Sequence, residues 1–334
     1  MNNRFFAICF YVVFLTFGLT FFAGCQESVK GPASGADLLT VDFAPGQTLK
    51  YSFVSNRTMS INLDPSGKHS KGKKSSEKKV IEKLELVMAY TPVEIDPYGY
   101  SVIQAKCESA KVTRRGGSRS DKDAVEFLAG KTFTLKITPA GEIADYTSLT
   151  EVVKALGDKA FSSSKRGRIK NPDMIMDFIA TQWALWDSAA SIKNPLKGIK
   201  KGQKWSSKLI APMPFVKKVA RNVDYKLADI ASTDTARVAI IESTYSLADS
   251  PVDNVPLPYG GSFQMRGMFG FLRGYEIVSL AGAGTQEFDI ERGLIISDTQ
   301  SYQTKVKASI FGLGDGGVEP NIIVDQTIEM KLLE

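Results

Sequence analysis

The chain has 334 residues, a formal charge of +6, and 43% apolar residues that include 19 Phe and 11 Tyr. That length and apolar fraction supply one large or two ordinary cored domains and exclude disorder for the body of the chain. Cys9 and Cys25 lie within and at the end of an N-terminal apolar run that reads as a signal, so one free cysteine, Cys107, and one histidine, His69, remain. These are too few for the usual Cys/His zinc site, and a triad base could come only from a lysine-rich tract.

Arg4 precedes an almost wholly apolar run from Phe5 to Phe22, broken by Thr16, Gly18 and Thr20. At roughly 18 residues the run falls just short of the ~20 that span a bilayer. It ends in Phe22-Ala23-Gly24-Cys25, which resembles the lipobox of bacterial lipoproteins. The resemblance implies diacylglycerol on the Cys25 sulfur, cleavage before it, and a body held to a lipid membrane by an acylated first residue. A plain secretory signal also ends in small residues, and an uncleaved anchor is a third reading. Cys25 directly after Ala23-Gly24, with the polar run Gln26 to Gly35 behind it, favours lipidation. Gln26 in place of Asp implies, by enteric-type sorting, the outer rather than the inner membrane. Residues 1–24 are therefore read as signal peptide and 25–38 as a flexible tether, with the body in the periplasm or at the cell surface.

Period-2 alternation follows. Leu49, Tyr51 and Phe53 share a face, as do Leu84, Leu86, Met88 and Tyr90, and Phe133, Leu135 and Ile137 before a turn at Pro139-Ala140-Gly141. Cys107 alternates with Ile103 and Ala105, so it is expected to be a small buried apolar residue. From Ser148 to Gly157 the spacing turns helical, with Ser148 and Glu151 at capping-box separation. Asn171-Pro172 predicts a second helix start, with Ile175, Ile179, Trp183 and Trp186 on one packing face and Pro195 ending the segment. Alternation then resumes through Val223/Tyr225/Leu227, Val238/Ile240, Phe288/Ile290, Val306/Ala308/Ile310 and Ile328/Met330/Leu332. The expected fold is mainly β (α+β): antiparallel β-lobes over 39–147 and 196–334, echoing one another as a loose duplication, with a helical connector over 148–195.

The positive charge is clustered at Lys68–Lys79, at Arg114, Arg115 and Arg119, at Lys165–Lys170, and at Lys193–Lys204, each run lying among Gly, Ser, Asn or Pro. These read as solvated loops that keep the body soluble or face anionic headgroups. No nucleic-acid-binding pattern is present.

The blocks Gly46-Gln-Thr-Leu-Lys-Tyr-Ser-Phe53, Leu128 to Ile143 and Lys201-Gly-Gln-Lys-Trp205 resemble an uncharacterised family of exported bacterial proteins of planctomycete-like envelopes. The resemblance implies an exported β-rich lipoprotein and brings no activity with it.

Chemistry is sparse. Gly312-Leu-Gly-Asp-Gly-Gly317 matches GxGxxG but precedes a strand instead of a helix, so it reads as a hairpin loop. Asp173 and Asp177 are one helical turn apart and are expected on a solvent face, near the positive end of the helix. No catalytic residue, metal site or cofactor is expected. The segment from Tyr259 to Tyr275 sets Phe263, Met265, Met268, Phe269 and Phe271 among glycines, with Arg266 and Arg273 alongside. It is the candidate surface for an apolar or amphipathic ligand, against the reading of a buried, bulged strand pair. The functional expectation is a non-catalytic envelope lipoprotein that binds such a ligand. An assembly scaffold is the alternative, and a carbohydrate-active enzyme the third.

Overall fold

A computed structural model describes residues 36–65, 77–116, 123–161, 174–232, 236–258, 272–310 and 320–333, the side chains of 160–161, 272–275 and 309–310 excepted. Its strands are β1 (Leu49–Asn62), β2 (Lys78–Ile95), β3 (Ser101–Arg115), β4 (Thr132–Ile137), β5 (Ile143–Asp145), β6 (Lys204–Ile210), β7 (Ala220–Ser232), β8 (Arg237–Leu247), β9 (Leu272–Asp289), β10 (Leu294–Ile310) and β11 (Asn321–Leu332). Helices α1 (Thr147–Phe161), α2 (Ile175–Ala184) and α3 (Asp187–Ala190) lie between β5 and β6.

The molecule is mainly β, and its two β-rich parts form one antiparallel sheet of eleven strands in the order β5-β4-β3-β2-β1-β11-β10-β9-β8-β7-β6. The parts join where β1 pairs with β11, from Tyr51 opposite Leu332 to Asn62 opposite Asn321. Every other neighbour is a sequential antiparallel pair, so the only long crossover is the helical segment that links edge strand β5 to edge strand β6.

Alternation sets the inner face. In β1, Leu49, Tyr51, Phe53, Ser55, Arg57, Met59 and Ile61 are buried, and the residues between them are half-buried. Cys107 is buried beside Ile103 and Ala105, and burial pushes its thiol up to about 12.

The sheet must curl. Phe133 of β4 stacks edge-on against Phe178 of α2, while Ser207 of β6 hydrogen-bonds Asp187 at the start of α3. In a flat sheet those strands would stand roughly 43 Å apart, yet a helix is only about 10–12 Å across. An open trough wrapped around α2 and α3 satisfies both contacts. Register shifts at Val87/Met88 and Pro92/Glu94 in β2, and three more between β9 and β10, are the bulges that allow the bend.

Enclosure changes the reading of α2. Ile175, Met176, Asp177, Phe178, Ile179, Ala180, Thr181 and Gln182 are all buried, so the helix has almost no solvent face, and Asp177 is fully buried instead of exposed as expected. Asn171, Pro172 and Asp173 lie outside the described residues, and the described helix opens at Ile175 after Met174. Helix α1 begins at Thr147, one residue before Ser148, and the Thr147 N–H donates to the Asp145 carboxylate at 2.8 Å.

Arg114 also departs from its loop reading. Strand β3 continues to Arg115 and places Arg114 opposite Glu82, where it is nearly enclosed. Lys193, Lys197, Lys200 and Lys201 are exposed, as expected for a basic loop, whereas Lys204, also exposed, opens strand β6. The tracts at 66–76 (with His69) and 165–170, and the GxGxxG stretch, lie outside the described residues. Among the described residues no helix is long and apolar enough to cross a membrane.

Candidate functional site: a cleft at the open seam

The trough does not close between β5 and β6, and a cleft of about 310 Å³ opens there. One wall is Glu142 and Ile143 at β5, the other is Ser207 to Leu209 of β6, and the floor is Trp183, Trp186 and Asp187 from the α2–α3 bend.

Each floor residue is fixed from behind. Trp186 is 2% exposed and meets Phe43 edge-on at 5.4 Å and Tyr90 at 5.5 Å. Its buried indole N–H has no hydrogen-bond partner among the described residues. Trp183, half-buried, meets Tyr146 edge-on at 5.3 Å. Asp187 accepts from Ser207 Oγ on one carboxylate oxygen and from Tyr225 Oη on the other, both at 2.8 Å. Burial lifts the Asp187 carboxyl to about 6; those hydrogen bonds and the positive charge of Arg221 pull against the rise, and Glu142 adds to it.

Folded Asp187 holds its proton to about pH 6 against an ordinary 3.8, so the folded state binds more protons in that window. Its stabilising contribution is complete below pH 3.8 and is lost as pH rises through 6. Relative to the wild type, Asp187→Asn should therefore lose less stability between pH 4 and 6.5. Urea titrations of both chains across that range test this, and parallel pH profiles would refute it.

Deeper in the trough, polar pairs fasten the helices to the sheet. Tyr90 Oη donates to Gln182 at 2.8 Å, Ser188 Oγ donates to Gln286, and Trp205 Nε1 donates to the Ser188 carbonyl at 2.9 Å. At the centre Arg57 bridges Glu82, at 2.7 Å, and Asp177, at 3.2 Å. Glu82 also takes Arg114 at 2.6 Å, and Arg114 reaches Asp123. Burial acts to raise Glu82, but Arg57 and Arg114 together hold it below the usual range. Burial raises Asp177 in spite of Arg57 and Ser55, and lifts Asp123 to about 6 in spite of Arg114.

Cys25 and Phe263, Met265, Arg266, Met268, Phe269 and Phe271 lie outside the described residues, and of Arg273 only the backbone, in β9, is described. Trp183 and Trp186 were legible as a face of a helix. That this face floors an opening depends on where the sheet stops.

No family model and no curated protein matches the chain. Among solved structures it is similar to lipovitellin, at 11% identity over 88% of this chain and 26% of that one, with a TM-score of 0.43. The chain thus spans about a quarter of the lipovitellin chain. DynF of the dynemicin biosynthesis pathway of Micromonospora chersina matches at 6% identity over 92% of this chain and 90% of its own, with a TM-score of 0.20. A mutant Rh. blastica porin matches at 8% over 84% and 99%, with a TM-score of 0.21. Likenesses this slight carry no function across.

Proposed function

We propose that this chain is a non-catalytic envelope lipoprotein, anchored through Cys25, that binds an amphipathic ligand in the seam cleft. The observation that carries the reading is the floor of Trp183 and Trp186 beside Asp187 in an opening of about 310 Å³. Aromatic faces take an apolar surface while a few placed polar groups orient the ligand. The first described residues pass behind this floor, with Val41 against Gly141 of the lining. Asp37 bridges to Ile199, and Phe43 packs on Trp186. The stretch from Cys25 to Ala36 spans at most about 40 Å, so an anchored molecule keeps the cleft near its membrane.

Catalysis is the weaker reading. Glu142 and Asp187 both border the cleft, as a pair of hydrolytic acids would. Both Asp187 oxygens, however, already accept hydrogen bonds from Tyr225 and Ser207, which suits a fixed polar anchor.

The test is native mass spectrometry of the body carrying Cys25→Ser, purified from a bacterial host. A stoichiometric co-purified mass is expected, with Trp183→Ala lowering its retention about tenfold, the loss of one good aromatic contact. A bare mass from repeated preparations would overturn this reading in favour of an assembly scaffold.

A further inference from the structure

We propose that Arg221 and Tyr302 form a buried site for a phosphate-type oxyanion on the inner face of the trough. Arg221, on β7, is 1% exposed, and among the described residues neither its Nε nor its Nη1 has a hydrogen-bond partner. The Tyr302 hydroxyl and Thr304 Oγ1, successive inner-face positions on β10, are likewise buried and unpartnered. A guanidinium cannot shed its charge as a buried carboxyl can, so it must find an acceptor. Arg57 shows the contrast in the same trough, with its donors committed to Glu82 and Asp177.

The site is built to hold the guanidinium still. Tyr245, Gly282 and Tyr302 stand side by side across β8, β9 and β10. A Cβ on Gly282 would fall 2.4 Å from the Tyr302 Cβ, and one on Gly284 would fall 2.4 Å from the Tyr245 hydroxyl. Glycine at these two places lets the two rings meet edge-on at 6.1 Å. Arg221 lies over them, 4.7 Å from the Tyr245 centroid and 5.4 Å from that of Tyr302.

Nearby carboxylates do not fill the role. Asp298 and Asp187 both act on Arg221 electrostatically, yet no ion pair forms with it among the described residues. Asp298 accepts from Gln300 and Gln286, and Asp187 from Tyr225 and Ser207. What is missing is an acceptor carrying negative charge, which Arg donors and a tyrosine hydroxyl recognise in phosphate. Arg221 stands opposite Leu209 of edge strand β6, a residue of the cleft wall, so the two sites lie one strand apart.

The chemistry is shared by free phosphate and a lipid phosphate head. The Cys25→Ser chain is titrated by calorimetry and thermal melting with inorganic phosphate, and separately with a soluble short-chain phosphatidate. Saturable binding of either is expected. Preference for phosphatidate assigns a lipid head, and equal binding assigns the free ion. Arg221→Met should weaken binding at least tenfold, and Asp298→Asn, which removes a competing negative charge, should tighten it. Tyr302→Phe keeps the ring platform and should weaken binding several-fold, so it decides the matter if Arg221→Met does not fold. Trp183→Ala should leave phosphate binding unchanged, which separates this site from the cleft reading. Absence of saturable binding to both probes, or binding indifferent to both Arg221→Met and Tyr302→Phe, would overturn the proposal and leave a water-filled polar pocket.

Discussion

Replacing Arg57 by methionine should destabilise the fold by about 3–5 kcal/mol, the cost of breaking a buried pair while leaving its partners charged. Arg57 is the shared cation of Glu82 and Asp177, and all three side chains are essentially shut off from solvent. Methionine fills much of the volume, so the loss is electrostatic more than steric. Without Arg57, Asp177 keeps only Ser55 and Gln326 as described partners and Glu82 keeps Arg114. The pH dependence gives a second readout. Burial already raises Asp177, and losing the cation raises it further, so the variant takes up that proton readily as pH falls. The deficit should therefore be smaller at pH 5 than at pH 8. Urea unfolding at the two pH values measures it, and a loss below about 1 kcal/mol would place this network among pairs that contribute little. Lys226→Met is the control: its bond to Glu242 is exposed on the outer face, and such pairs are worth about 0–1 kcal/mol.

The same cluster marks where sequence reading succeeds and stops. Alternation in β1, β2 and β4 identified the inner face, because period 2 is a property of the single strand. It likewise placed Cys107 inward. Arg57 occupies one of those inward slots, but one of the two carboxylates that make it tolerable, Asp177, is on a helix 120 residues away. Local pattern cannot show that. Asp177 was assigned a solvent face because a helix lying on a flat sheet has one; a helix enclosed by a curled sheet does not. Basic, glycine-flanked surroundings give Arg114 the pattern of a loop residue, although strand pairing carries it inward opposite Glu82. Two lobes become one sheet through the pairing of β1 with β11, a contact between opposite ends of the body that periodicity cannot register. The cleft is legible least of all, since it exists only because β5 and β6 fail to meet.

Trp186→Ala should cost about 3–5 kcal/mol, the range for truncating a buried large aromatic. The indole ties three parts together: the segment ahead of β1 through Phe43, the sheet through Tyr90, and the α2–α3 bend. Trp186→Phe separates its two roles. Phenylalanine retains most of the packing, and the lost indole N–H has no partner among the described residues, so the stability cost should be only about 1 kcal/mol. A buried donor without an acceptor, at the floor of a cleft, gains its hydrogen bond when a ligand with an oxygen enters. Trp186→Phe should then reduce ligand retention in native mass spectra as severely as Trp183→Ala does, while its urea midpoint stays near that of the wild type. Retention that follows stability across Trp186→Phe and Trp186→Ala would assign the indole to packing alone. Retention lost with stability kept would assign its N–H to the ligand.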